Sequence, residues 1–99
     1  MSEVELICAA IRGRALLEFL YDDRRRVVAP YCCGVSSRGV DVLRGLQVRG
    51  ESVSGGLGFG KLWTVAKIAQ LRVLDEVFTP DDPHYNPRDS AMTRIYCAI

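Results

Sequence analysis

After its first dozen residues the chain leaves a helical period for an alternation of two. Apart from short turn signals it keeps that alternation as far as Phe78. Side chains that alternate this way stand on opposite faces of an extended backbone, so the pattern commits most of the chain to strands. "ALLEFLY" (Ala15 to Tyr21) sets Leu17, Phe19 and Tyr21 on one face and Leu16, Glu18 and Leu20 on the other. Asp22-Asp23 reads as a turn, and "RRRVVAPYCCGV" (Arg24 to Val35) returns as a second strand. Pro30 cannot donate to a ladder, so it implies an edge position or a bulge. "SSRG" (Ser36 to Gly39) is the next turn, and "VDVLRGLQVRG" puts Val40, Val42, Leu46 and Val48 on one face, interrupted by Arg44.

The start is different. Ser2 and Glu5 have the spacing of a capping box, and Val4, Ile7, Cys8 and Ile11 form one helical stripe that Gly13 is expected to stop. Toward the other end, "KLWTVAKIAQLRVLDEVF" reads as a strand over Lys61 to Lys67, a bend near Ala69-Gln70 and a strand from Leu71 to Phe78. "TPDDPHYNPRDS" is a proline-rich loop, and the tail "AMTRIYCAI" alternates weakly enough to suit an extra strand without naming its neighbour. The expectation is one domain over residues 1–99: a helix at 2–12, strands within 15–78, a loop at 79–90 and an added strand at 91–99. Such a chain is mainly β, a small barrel or curled sheet of about five antiparallel strands behind a short N-terminal helix.

Between the strands, Gly55, four residues, then Gly60-Lys61 reproduces the spacing of a phosphate-cradling P-loop. The residue after Lys61 is Leu62, not the Ser or Thr that would ligate magnesium, and Trp63-Thr64-Val65 suits a strand better than a helix start. The chain is also too short for repeated βα units. "GGLGFGK" is therefore read as a hairpin loop.

Composition excludes more than it identifies. Net charge is +1, but eleven of the thirteen cations are Arg, the side chain suited to planar bidentate contacts. No apolar run is long enough to span a bilayer, and the acidic start "MSEVELICAA" does not read as a secretory signal. A soluble, cytoplasmic protein without membrane contact is expected. Cys8, Cys32, Cys33 and Cys97 have no metal-site spacing, so buried free thiols are expected and neither a metal nor a cofactor. His84 sits with Asp81, Asp82 and Asp89 in a polar loop, where the carboxylates are read as solvating groups. No nucleophile has an evident base, so no catalytic residue is nominated and the chain is expected not to be an enzyme.

The order of several weak motifs resembles the WYL domain of bacterial regulators. "AAI" (Ala9 to Ile11), "LEFLY" (Leu17 to Tyr21) and "RVVAP" (Arg26 to Pro30) follow that family's opening pattern. Lys61, Trp63, Val65, Lys67, Ile68, Leu71 and Phe78 follow its later one, while the naming tripeptide is reduced to "DVL", with only Leu43 matching. The resemblance covers about residues 4 to 79 and implies an Sm-like, SH3-type barrel acting as a regulatory module. It further implies a ligand that is nucleic acid or nucleotide, met by basic and aromatic side chains.

On this reading Arg26, Arg44, Lys61 and Lys67 form a cationic ligand-binding face, with Arg49 as a lesser member, and Tyr21 and Tyr31 offer stacking surfaces. Core packing is the competing expectation for Tyr21 and Trp63, and local pairing with Asp22 and Asp23 for Arg24 and Arg25. The favoured function is non-enzymatic recognition of single-stranded nucleic acid or a nucleotide. The alternative is a structural module that forms a homodimer or docks on a regulatory partner protein. Clustered cations would favour the first, and an exposed apolar patch around Phe59, Ile95, Tyr96 or Ile99 the second.

Overall fold

The computed structural model describes residues 2–50, 62–80, 85 and 89–99. Helix α1 (Glu3–Gly13) begins at its expected cap. The Ser2 hydroxyl accepts from the Glu5 amide at 3.1 Å, and the Glu5 carboxylate accepts from the Ser2 amide at 3.2 Å. Two donors at the helix start are thereby satisfied. Gly13 closes the helix, and Arg14 supplies the left-handed cap (φ 57°), its amide donating to the Ile11 carbonyl.

Strands β1 (Ala15–Tyr21) and β2 (Arg24–Ser36) are joined by Asp22 and Asp23, both at positive φ (54° and 60°). A two-residue hairpin needs this geometry, and Asp tolerates it. In the next turn the Ser36 hydroxyl accepts from the Arg38 and Val40 amides, and Gly39 takes φ 75°. Then come β3 (Asp41–Gly50), β4 (Leu62–Thr64), a single 3-10 turn (Val65–Lys67), β5 (Ala69–Val77) and β6 (Met92–Ala98).

The chain is mainly β, with one six-stranded antiparallel sheet in the order β4-β3-β2-β1-β5, β6 lying on β2 as well. About five strands were expected; the sixth is the tail. No ladder joins the end strands β4 and β5 among the described residues. The strand expected over Lys61 to Lys67 is shorter, because β4 lies on β3 and β5 on β1, at opposite ends of the sheet order. The 3-10 turn redirects the chain between them, burying Val65 while Ala66 and Lys67 face water. The bend near Ala69-Gln70 is present as a register slip with Gln70 at φ 51°, and the strand starts at Ala69 instead of Leu71.

Strand β2 is the spine. One of its edges pairs with β3; the other is shared by β1 at Arg24 to Val28 and β6 at Cys32 to Ser36. Both its faces are covered, so residues 26 to 34 are continuously buried and show no alternation. Pro30 accordingly sits at a bulge, between register pairs Pro30↔Gly45 and Cys32↔Arg44, and not at an edge. On one face α1 packs Ile7 and Ile11 against Leu17, Phe19, Val28, Leu43 and Trp63. Burying a side chain such as Phe19 contributes about 1.5–3 kcal/mol. On the other face Leu16, Val27, Ala29 and Tyr31 pack with Leu46, Leu74, Phe78, Tyr85 and Ile99.

Where β6 crosses β2 the backbones approach closely. A Cβ at Gly34 would collide with the Arg94 carbonyl oxygen, so only glycine fits there. The same crossing overturns one expectation about the cysteines. Cys32 and Cys33 are free and buried, but Cys8 and Cys97 form a disulfide across a separation of 89 residues. Helix α1 lies over the part of the sheet where β6 runs, which brings the two sulfurs together; spacing in the sequence carries no information about such a pairing. No helix among the described residues is long and apolar enough to cross a membrane.

Candidate functional site

Of the six nominated side chains, the five among the described residues do not share a surface. Arg26, placed at the start of β2 next to the Asp22-Asp23 hairpin, is only 1% exposed. Its Nη2 donates to the Tyr21 carbonyl at 3.2 Å and its Nη1 to Gln47 Oε1 at 3.3 Å. The guanidinium lies over the Tyr21 and Trp63 rings, 5.8 and 5.4 Å from their centroids, and reaches the Asp22 carboxylate only at 4.0 Å. Its Nε is buried without a hydrogen-bond partner among the described residues. Desolvated stacking of this kind offsets part of the cost of burying the charge.

Tyr21 belongs to the same cluster. Its ring meets Phe19 and Trp63 edge-on, and its hydroxyl accepts from the Thr64 amide at 3.1 Å. It is core with its oxygen at the rim. Trp63, also core, donates from Nε1 to the Gly45 carbonyl at 3.4 Å.

Arg44 does interrupt an apolar face, between Val42 and Leu46, and the structure gives the reason. Its Nε and Nη2 clamp both oxygens of Asp89, at 2.6 and 3.1 Å. Asp89, expected to solvate a loop, is 8% exposed and also accepts from the Ala91 amide at 2.9 Å. The Arg44 hydrogen bonds hold its carboxyl below the usual range, burial working against them. This is a tether for the start of β6 and not a presented cation.

Tyr31 lies on the other sheet face, 2% exposed and packed against Phe78 and Tyr85, so it offers no stacking platform. Lys67 is exposed on the 3-10 turn. Arg49 is bound by Glu76 at 2.6 Å. Arg25 pairs across the strand with Glu18 at 2.9 Å instead of with the turn aspartates, and Arg24 reaches only the Asp22 carbonyl, at 3.4 Å. Lys61, the glycine loop, Phe59, His84, Asp81 and Asp82 lie outside the described residues. Among the described residues no group of three or more His, Cys, Asp or Glu is arranged to hold a metal.

The surface with a distinct shape is elsewhere, along β6. Ile95 and Tyr96 are 37% and 41% exposed, and Tyr96 lines two hollows. The larger, of about 630 Å³, is lined by Glu3, Val4, Val40, Asp41 and Val65 among others. The smaller, of about 360 Å³, is lined by Val4, Glu5, Cys8, Ala9 and Arg12. The Tyr96 hydroxyl donates to Asp41 Oδ1 at 2.8 Å, and Arg94 covers the ring at 5.9 Å, so this shared lining residue is held in place. Asp41 also pushes the phenol pKa up. Val73 and Val77 on β5 are exposed too, but Arg72, Asp75 and Glu76 interleave them, and charges blunt a strand edge against pairing. The tail's exposed Ile95 and Tyr96 were legible as apolar residues. The hollows were not, since they arise where helix start, 36–41 turn and tail converge.

A scan against protein-family models finds no match, and no curated protein or solved structure is significantly similar to the chain. The likeness to the WYL domain thus stands on the order of residues alone.

Proposed function

We propose that this chain is a non-catalytic interaction module that binds an extended, basic and apolar segment of a partner protein along β6. The observation that carries this reading is the exposure of Ile95 and Tyr96 on a strand whose outer edge has no ladder among the described residues, with two hollows that Tyr96 lines. A strand edge supplies backbone hydrogen bonds to an added segment, and flanking pockets select alternate side chains. Glu3, Glu5 and Asp41 face a single cation, Arg12, among the described lining residues, so lysine or arginine in the segment meets complementary charge.

The test is fluorescence anisotropy of labelled synthetic peptides, one alternating Lys and Val and one alternating Glu and Val. The basic peptide is expected to bind and Tyr96→Ala to weaken it, with the acidic peptide silent. Equal binding of both peptides, or of neither, contradicts the reading.

A second reading has one observation in its favour. The exposure of Lys67 on the 3-10 turn suits a module that recognises a negatively charged ligand, single-stranded nucleic acid or a nucleotide, as the WYL resemblance implies. The same assay with a single-stranded DNA oligomer tests it: binding that weakens with salt and with Lys61→Ala and Lys67→Ala supports it. Absence of binding at tens of micromolar protein counts against it.

A further inference from the structure

We propose that the Cys8–Cys97 bridge is a site of thiol–disulfide exchange, through which a dithiol reductant unclasps β6 from α1. Resting on the docking reading above, this opening also switches the docking surface off. Three observations carry the proposal.

The first is what the bridge joins. It links α1 to β6, and neither cysteine takes part in the β1–β2 or β2–β3 ladder, so opening it breaks no covalent or ladder contact between the strands of those hairpins. The second is access. Cys97 is half-buried, and Cys8, itself only 5% exposed, lines the smaller hollow beside Tyr96, whereas Cys32 and Cys33 are 0% exposed. Cys33 lies directly opposite Cys97 in the β2–β6 register and would be the natural internal competitor for the bridge. Burial pushes its thiol up to about 12, and that of Cys32 to about 11, so both stay protonated near neutral pH and exchange passes to an external thiol. The third is what remains. β6 holds β2 through five register pairs with two irregularities, against nine pairs, also twice interrupted, between β2 and β3. Arg44–Asp89, the Ile99–Tyr31 hydrogen bond and the Tyr96–Asp41 hydrogen bond are then its long-range fastenings, and none of them is covalent. A short, interrupted ladder lies toward the low end of local stability once its covalent link is gone.

The exchange is balanced. A reductant thiolate attacks the sulfur of Cys97, the less buried residue of the two, forming a mixed disulfide as the Cys8–Cys97 bond breaks. Cys8 leaves as a thiolate and takes a proton from water. The reductant's second thiol, deprotonated in turn, displaces Cys97, which is also protonated. Two electrons have then passed from the dithiol, now a disulfide, to the bridge, now two thiols.

The full chain, in native buffer near pH 7, is treated with dithiothreitol, quenched with iodoacetamide and mapped by peptide mass. Alkylation is expected at Cys8 and Cys97 only, with Cys32 and Cys33 reacting after denaturant is added. Amide exchange over residues 92–98 is expected to rise at least about tenfold, with the β1–β2 hairpin unchanged. Alkylation of all four cysteines together overturns the proposal, because the bridge would then open only by global unfolding. So does a bridge that resists the dithiol, or a β6 whose exchange stays the same after opening. Cys8→Ser should reproduce the fast β6 exchange without reductant; if that variant does not fold, the reduced native chain still decides. These readouts need no partner, so failed peptide binding in both states sinks the docking reading and the switch while alkylation judges the bridge. Peptide affinity that is unchanged by opening sinks the switch alone.

Discussion

The two halves of β2 meet their neighbours in opposite ways. Arg24 to Val28 pair with β1 across a two-residue turn, a contact made locally and closed by no covalent link. Cys32 to Ser36 pair with β6, which arrives from the far end of the chain. Closing so long a loop costs more entropy than closing a hairpin. The second half is correspondingly rich in long-range fastenings. Asp89 grips Arg44 just upstream of β6, the Ile99 amide donates to the Tyr31 carbonyl at 2.9 Å, and Cys97 is bridged to Cys8. Strand pairing along one continuous spine thus rests on turn chemistry at one end and on tethers at the other.

Removing a tether should therefore cost more than removing a surface contact on the hairpin side. The largest loss is expected from replacing Cys8 and Cys97 together by Ser, about 2–5 kcal/mol of unfolding free energy in denaturant titrations. Asp89→Asn comes next, at about 2–3 kcal/mol, since it leaves Arg44 charged and mostly enclosed. That pair also carries a pH signature. The folded Asp89 carboxyl lies below its unfolded value, so its contribution is full above about pH 5 and fades as pH falls through about 4 and below. Asp89→Asn should flatten that acid limb.

Gly34→Ala is expected to cost about 1–3 kcal/mol, read as loss of β6 protection with the β1–β2 hairpin intact, because the new methyl meets the Arg94 carbonyl. The smallest change belongs to the hairpin side. Glu18→Gln severs ion pairs with Arg25 and Arg72, whose side chains are 55% and 69% exposed, and should alter stability by no more than about 1 kcal/mol, less in high salt. A hairpin-side loss as large as the tether losses would erase the contrast.

The same contrast explains what could be read in advance. The capping box of Ser2 and Glu5, the Asp22-Asp23 turn and the bulge at Pro30 are local devices, and each stands in the sequence at the residues that form it. Arg44 was conspicuous as a charge on an apolar face, yet its partner lies in a proline-rich loop that reads as solvated. Arg26 looks like a surface cation because it follows Arg24 and Arg25, both exposed. Its burial depends on Trp63 and Gln47, which arrive from other strands. The hollows beside Tyr96 and the disulfide under them require three distant segments to meet. Periodicity, which speaks for one segment at a time, is silent about that.

The most direct measurement is native amide exchange of the two β2 partners, β1 and β6, followed in oxidised and dithiol-reduced protein. Protection in β1 that is indifferent to reduction, with protection in β6 falling at least about tenfold, is the expected result. Equal loss in both strands, or none in β6, would contradict a tail held to the sheet by its bridge.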